Sequence, residues 1–259
     1  MHESLRHLDH RPWPLPTKRW AWRQSWLDLA FIHYRVAAAT LRAIVPGELT
    51  VQEFDGSAWV GLVPFRMAGV MRRGLPDLPG FSTFPELNLR TYVERNGKPG
   101  VWFFSLDAAS WPIVIGGRRL YGLPYYVAQM TLNREKNGWH GFVSKRRGTD
   151  VYFEASYRPL GRTSVANPGS FEHWATERYC LYAARNGRML RVEVHHAPWP
   201  LQSAEVEIRS DSLLETAGIQ PLLANPVCHF SPGVHVVSFP PEIVASLLNR
   251  CTGRAKAQI

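Results

Sequence analysis

Three Asn-Gly pairs, Asn96-Gly97, Asn137-Gly138 and Asn186-Gly187, punctuate this chain more sharply than any other feature. Each stands between runs of strand-like composition. Asn-Gly supplies the two positive-φ residues of a type I′ turn, whose twist matches that of the strands it joins, so each pair predicts a tight hairpin. The first joins residues 87–94 to 101–106, the second 127–133 to 139–145, and the third 178–184 to 189–195. Gly148-Thr149 then turns into residues 151–157 and extends a meander. Hairpins make their strands antiparallel, so antiparallel sheet is the main element.

Helices are few. Residues 37–44 are rich in alanine and leucine and stop at Pro46-Gly47. A short helix follows Ser170 as N-cap with Glu172 in its first turn, and 212–216 make one more turn before Gly218. Residues 242–250, after Pro240-Pro241, place Ile243, Leu247 and Leu248 on one helical face. The fold class is therefore α+β, mainly antiparallel β, and periodicity alone leaves barrel and sandwich both open. Residues 1–20 read as an N-terminal extension, 21–252 as a single domain, and 253–259 as a C-terminal tail. The Pro/Gly/Phe-rich stretch 76–85 reads as a loop over the sheet.

A chain of 259 residues with 45% hydrophobic and 12% aromatic residues buries a substantial core. Cys180, Cys228 and Cys251 are scattered, and none forms a C-x-x-C pair, which argues against a disulfide framework, structural zinc or a redox motif. A cytoplasmic location is expected. Residues 1–18 have no apolar signal-like core, and the longest apolar runs, such as 58–65, are strand-sized, so no membrane partner is expected. The net charge of +9 comes nearly all from arginines interleaved with apolar residues. Without a helix-turn-helix, zinc finger or RNP signature, a basic-surface nucleic-acid binder is the least favoured reading, and no specific nucleic acid is expected.

The segment Gly117-Arg118-Arg119-Leu120-Tyr121-Gly122-Leu123-Pro124-Tyr125-Tyr126 has the outline of a catalytic stretch. With Tyr34-Arg35-Val36, the helix leading to Val45-Pro46-Gly47-Glu48-Leu49, and Leu106-Asp107, it resembles the acetoacetate decarboxylases. Those enzymes carry a Gly-Arg-Glu and a Tyr-Pro-Lys-Lys series there. Further stretches are similar to the YqjF-like uncharacterised family (domain of unknown function 2071) of the same superfamily. They include Phe84-Pro85-Glu86-Leu87-Asn88-Leu89-Arg90, Thr176-Glu177-Arg178-Tyr179-Cys180, and Val194-His195-His196-Ala197-Pro198-Trp199. The resemblance runs from about residue 26 to 235. It implies an acetoacetate decarboxylase-like, cone-shaped β-barrel with a few peripheral helices and an interior pocket. It also implies self-association, with a homodimer as the expected form.

The resemblance does not carry the chemistry over. An imine needs an amine, and Tyr125 and Tyr126 stand where the decarboxylases have lysines. A phenol can donate a hydrogen bond, or act as an acid if its pKa is lowered. The remaining lysines, Lys18, Lys98, Lys136, Lys145 and Lys256, flank turns or lie in terminal segments. Arg119 replaces the decarboxylases' glutamate with the opposite charge. Glu86 reads either as an acid–base group raised by apolar walls such as Phe81 and Phe84, or as a carboxylate paired with Arg90 or Arg118. Arg118 reads as a carboxylate-binding arginine or as an ion-pair partner of Asp107, Glu86 or Glu177. Arg35 carries the same two readings, and Asn88 and Tyr126 complete the expected ligand-binding set.

His195 and His196 are adjacent on a strand and point to opposite faces, so they do not chelate one ion, and one of them faces inward. His2, His7 and His10 read as solvated, and Cys180 as a small buried hydrophobe. No H-x-x-x-H or H-E-x-x-H spacing supports a metal, and no phosphate-binding loop follows Gly116-Gly117, so neither metal nor cofactor is expected. The sequence thus reads as a small-molecule pocket taking a carboxylate or carbonyl compound among Arg118, Tyr125, Tyr126 and Glu86. Its chemistry would be acid–base, with Glu86 and Tyr125 catalytic in enolisation, dehydration or another lyase step without an imine. The alternative is a non-catalytic ligand-binding or regulatory protein.

Overall fold

A computed structural model describes residues 2–76 and 82–247. In chain order its strands are β1 (Trp22–Val36), β2 (Thr50–Val51), β3 (Glu53–Phe54), β4 (Ser57–Arg72), β5 (Phe84–Arg95), β6 (Lys98–Ala108) and β7 (Tyr125–Arg134). They continue as β8 (His140–Arg146), β9 (Tyr152–Ser164), β10 (Cys180–Arg185), β11 (Arg188–His196), β12 (Leu201–Asp211), β13 (Val227–Ser238) and β14 (Glu242–Ser246). All belong to one 14-stranded sheet. The helices are short: α1 (Ala38–Ile44), α2 (Trp111–Gly116), α3 (Phe171–Thr176) and α4 (Leu213–Thr216). Ser170 caps α3 by accepting from the His173 N–H at 3.2 Å.

Two of the Asn-Gly pairs form the turns their chemistry predicts. Arg95 pairs with Lys98 across Asn96 (φ 51°) and Gly97 (φ 70°). Arg185 pairs with Arg188 across Asn186 (φ 50°) and Gly187 (φ 68°). The middle pair departs from the expectation. There Gly138 alone takes positive φ (85°), and its N–H closes a four-residue turn on the Glu135 carbonyl at 3.2 Å. The Asn137 side chain accepts from the Trp139 N–H at 3.1 Å, so this asparagine stabilises the turn without adopting the left-handed conformation.

Most ladders are antiparallel, but β6 runs parallel to both β7 and β10. The sheet returns on itself twice: β6 also pairs β5, and β13 pairs β11 as well as β1 and β12. Strands β1, β4 and β5 are consequently covered on both faces by two apolar clusters. Ala30, Ile32, Leu62, Leu87 and Leu89 belong to one. Leu29, Phe31, Val63, Phe65 and Tyr92 belong to the other. The side-chain period of two assigns alternate residues of each strand to opposite cores.

The helix expected over 242–250 is not formed at its start. Glu242–Ser246 is β14, paired antiparallel to β11 with Leu190 opposite Ile243, and 248–250 lie outside the described residues. The β-branched Ile243 and Val244 suit a strand, and pairing satisfies backbone groups that the edge of β11 would otherwise expose. Residues 77–81 and the tail 253–259 also lie outside the described residues, and Phe81 with them. Among the described residues, no helix is long and apolar enough to cross a membrane.

Ser4, His10, Arg11 and Trp13 of the N-terminal segment contact β11. The buried Arg11 donates to the Val194 carbonyl (2.6 Å) and to Glu193 Oε2 (2.5 Å). Trp13 Nε1 donates to the same carboxylate at 2.9 Å, and Lys98 Nζ reaches its other oxygen at 2.9 Å. Burial would raise the Glu193 pKa, yet these bonds and charges hold it below the usual carboxylate value. His10 is not solvated as expected: its ring stacks on His195 at 5.4 Å and Nε2 lies 2.8 Å from the His196 carbonyl. Replacing one partner of a buried ion pair leaves the other uncompensated. Arg11→Met should therefore lower unfolding free energy by about 2–4 kcal/mol in urea titration. The exposed Arg19→Met should change it by less than about 0.5 kcal/mol.

Candidate functional site

Strand β5 carries its polar residues on alternate positions. Glu86, Asn88 and Arg90 therefore leave the same face of the strand, while Leu87 and Leu89 pack on the other side. That face looks into a cavity of about 220 Å³. Its walls are apolar, including Trp26, Val63, Phe65, Phe103, Leu123 and Trp199. Its other polar lining groups include Tyr125 from β7, His196 from β11, and Thr176 and Arg178 from the end of α3 and the link to β10.

Glu86 is 2% exposed and has no cation within ion-pair distance among the described residues. Burial pushes its carboxyl up to about 8. Hydrogen bonds from Tyr125 and Asn88 pull the other way, and Asp107 adds a smaller upward push. The Tyr125 hydroxyl lies 3.2 Å from Oε2 and 3.4 Å from Oε1. Burial, followed by the Glu86 charge, raises the Tyr125 phenol well above its ordinary value. The expected option of a phenol acid with a lowered pKa is thus replaced by a neutral hydrogen-bond donor facing a carboxyl that titrates near neutrality.

The segment from Gly117 onward holds Tyr125 in place. Gly117–Tyr121 forms a π-helical turn continuous with α2. A Cβ on Gly117 would fall 2.5 Å from the Tyr125 ring, so glycine is what lets the ring pass. Arg118 Nε donates to the Tyr125 carbonyl at 2.6 Å, fixing the backbone from which the phenol projects.

The structure does not bring the other expected binding residues into the cavity. The Arg118 guanidinium lies over the Tyr126 ring at 5.4 Å, and neither residue lines the cavity. Tyr126 alternates with Tyr125 along β7 and therefore turns to the opposite face. Its ring carries Arg146 at 3.8 Å, and Arg146 in turn grips the buried Asp107 at 2.7 and 3.0 Å. Arg35 pairs with Asp55 at 2.7 Å and lies over Trp59 at 4.5 Å, away from the cavity.

Of the two adjacent histidines, His196 faces the cavity. Its Nδ1 lies 2.8 Å from the Ala197 carbonyl and its Nε2 3.4 Å from the Arg178 carbonyl, and burial lowers its pKa. His195 faces the N-terminal segment, with Nε2 2.7 Å from the Ser4 carbonyl. Cys180 lines the cavity as a thiol, its pKa pushed by burial up to about 12. Lys18, Lys136 and Lys145 are exposed, Lys98 is engaged by Glu193, and Lys256 lies outside the described residues.

Two arginines outside the expected ligand-binding set do line the cavity, Arg90 and Arg178. Both lie by the Tyr92 ring, at 5.7 and 5.0 Å. For Arg90 a signal existed, since it follows Glu86 and Asn88 in strict alternation. Arg178 carried no such signal, because its position depends on how α3 packs over Tyr92.

The match to known families agrees with this architecture. The model of the DUF2071 family, described as an uncharacterized conserved protein, matches residues 23–235. The chain belongs to this family. Uncharacterized protein YqjF of Bacillus subtilis is 40% identical over 228 residues, 87% of this chain and 93% of that one. DUF2071 membership sits beside a more distant likeness to acetoacetate decarboxylases. That of Burkholderia pseudomallei is 32% identical over 105 residues, 40% of this chain and 38% of its own. The solved acetoacetate decarboxylase of Legionella pneumophila superposes with a TM-score of 0.62 at 18% identity, covering 95% of this chain and 98% of its own. The enduracididine biosynthesis enzyme MppR, solved with pyruvate, superposes with a TM-score of 0.64 at 15% identity, with the same coverage. These identities establish a shared acetoacetate decarboxylase-like fold and leave the chemistry to the residues present.

Two predictions follow from the Glu86–Tyr125 pair and its support. A carboxyl at about 8 folded and 4.5 unfolded binds its proton more tightly in the native state. Its contribution to stability is full below the unfolded value and is lost as pH rises through the folded one. The stability difference between wild type and Glu86→Gln should therefore shift against the wild type by up to about 1.4 kcal/mol per pH unit across that window, read by urea unfolding. Gly117→Ala should cost about 1–3 kcal/mol by crowding Tyr125. The neighbouring Gly116→Ala, with nothing within 4 Å of an added Cβ, should be neutral or stabilising.

Proposed function

We propose that this protein binds a small carboxylate or carbonyl compound in the cavity and that Glu86 is its acid–base group, acting without a lysine imine. The observation that carries the reading is a carboxyl with a pKa near 8, buried in an apolar wall and hydrogen-bonded by Tyr125. Near neutral pH such a group is mostly protonated yet exchanges its proton readily, the property required of a general acid or base. It can donate to a ligand carbonyl oxygen, or accept a proton from the carbon beside it. Tyr125 keeps the carboxyl oriented through either step. MppR solved with pyruvate supports an oxo acid as a ligand that this fold can hold. The twice-returning ladder supports a closed, cone-shaped barrel around the pocket.

One observation favours the alternative of a non-catalytic binder. The pKa of His196 is lowered and that of Tyr125 raised, so Glu86 has no evident proton-relay partner in the neutral range among these lining groups. Proton exchange separates the two. Followed by NMR in deuterated water, the methyl protons of pyruvate should exchange faster with the wild-type protein, and Glu86→Gln should lose about 10²- to 10⁴-fold of that acceleration. Binding without exchange would make the protein a ligand carrier. Borohydride treatment with pyruvate or acetoacetate should leave every lysine unmodified, and a trapped lysine adduct would overturn the imine-free reading.

A further inference from the structure

We infer that the cavity takes its ligand as a monocarboxylate with an apolar, ring-sized body, its carboxylate held by Arg90 and Arg178 beside Tyr92. This rests on the small-molecule reading above and names both the ligand class and the residues that select it.

The buried guanidiniums of Arg11 and Arg146 each have a carboxylate at 2.5 and 2.7 Å respectively. Arg90 and Arg178 have none within ion-pair distance among the described residues, although Arg178 is only 6% exposed. Burial lowers the Arg178 pKa to about 10, with Arg90 adding to the fall, and it stays charged at neutral pH. Glu86, mostly protonated there, does not balance this charge. Buried charges are stable when paired, and among the described residues no carboxylate is placed to pair with these two, so they are poised for an anionic ligand.

The unpartnered donors around the cavity favour the same ligand. Arg178 is anchored through Nε to the Trp174 carbonyl at 2.6 Å and through Nη1 to Gln52, while its Nη2 has no partner. Arg90 Nε, Trp26 Nε1 and Trp199 Nε1 are likewise unpartnered, and all four residues line the cavity. These unmet groups are donors, whereas Asn88 Oδ1 is the unmet acceptor on the same face. A surplus of donors around a net positive charge selects an anion with acceptor oxygens, and the planar guanidinium fork matches a carboxylate.

The walls set the rest of the ligand. Val63, Phe65, Phe103 and Leu106 offer nothing to a second charged end, which disfavours dicarboxylates and inorganic phosphate. The cavity's 220 Å³ exceeds the roughly 150 Å³ apolar cavity that accommodates benzene, leaving room for a carboxylate on a ring-sized body.

The test uses phenylacetate, phenylacetamide and acetate, titrated calorimetrically into the purified protein with tryptophan fluorescence as a second readout. Phenylacetate should bind at least about tenfold more tightly than either of the others. Arg90→Met should remove most of that advantage, read as the ratio of carboxylate to amide affinity. Equal affinity for phenylacetate and phenylacetamide in the wild type would overturn the arginine assignment and leave the small-molecule reading standing. Acetate binding as tightly as phenylacetate would overturn the apolar body. Failure of all three to bind at millimolar concentration would overturn the assignment and count against the cavity reading too. Should the thermal melt show Arg90→Met unfolded, Arg178→Lys is read by the same carboxylate-to-amide ratio, and an unchanged ratio overturns the proposal.

Discussion

Covering a strand on both faces is the constraint on which this structure depends. In β5, Leu87 and Leu89 belong to one apolar cluster, while Tyr92 packs in the other and Glu86, Asn88 and Arg90 face the cavity beside it. A one-residue slip in register would exchange these faces, burying the polar stripe in the first core. The ladders to β4 and β6 therefore fix which side chains lose their water. The raised Glu86 pKa is a result of that burial within a rigid sheet rather than of a chance loop conformation.

Two carboxylates on neighbouring strands show how much the choice of face matters. Asp107 lies opposite Leu87 in the β5–β6 ladder, whereas Ala108 lies opposite Glu86. Asp107 therefore turns away from the cavity, where Arg146 neutralises it by a two-nitrogen contact. Glu86 receives a phenol in place of a cation. The first arrangement locks a core, and the second leaves a buried carboxyl with no counter-charge among the described residues.

The turns were the most legible part of the sequence, because Asn96-Gly97 and Asn186-Gly187 act through local backbone geometry that needs no tertiary partner. The acetoacetate decarboxylase-like fold was legible for the same reason together with the family resemblance. The strand at Glu242–Ser246 was not. A proline pair followed by a mixed apolar stretch suits a helix locally, and the open edge of β11 that decides otherwise lies far away in sequence. Within the site, Glu86, Asn88 and Tyr125 were legible and the structure brings them together. Arg118 and Arg35 have the chemistry to hold a carboxylate, yet their directions are set by Tyr126 and Asp55. Arg178 could not be found from its neighbours in sequence, since it reaches the cavity through contacts with Trp174, Gln52 and Tyr92.

The parallel pairing of β6 with β7 has a further consequence. Two parallel neighbours cannot be joined by a tight hairpin and need a long crossover. Here residues 109–124 make that crossing, and Gly116, Gly117, Leu120 and Tyr121 from it line the cavity. One part of the pocket wall is thus the same piece of chain that sets the strand order. The size of the cavity can be retuned by exchanging side chains on this crossing, but shortening it would dismantle the sheet before it enlarged the pocket.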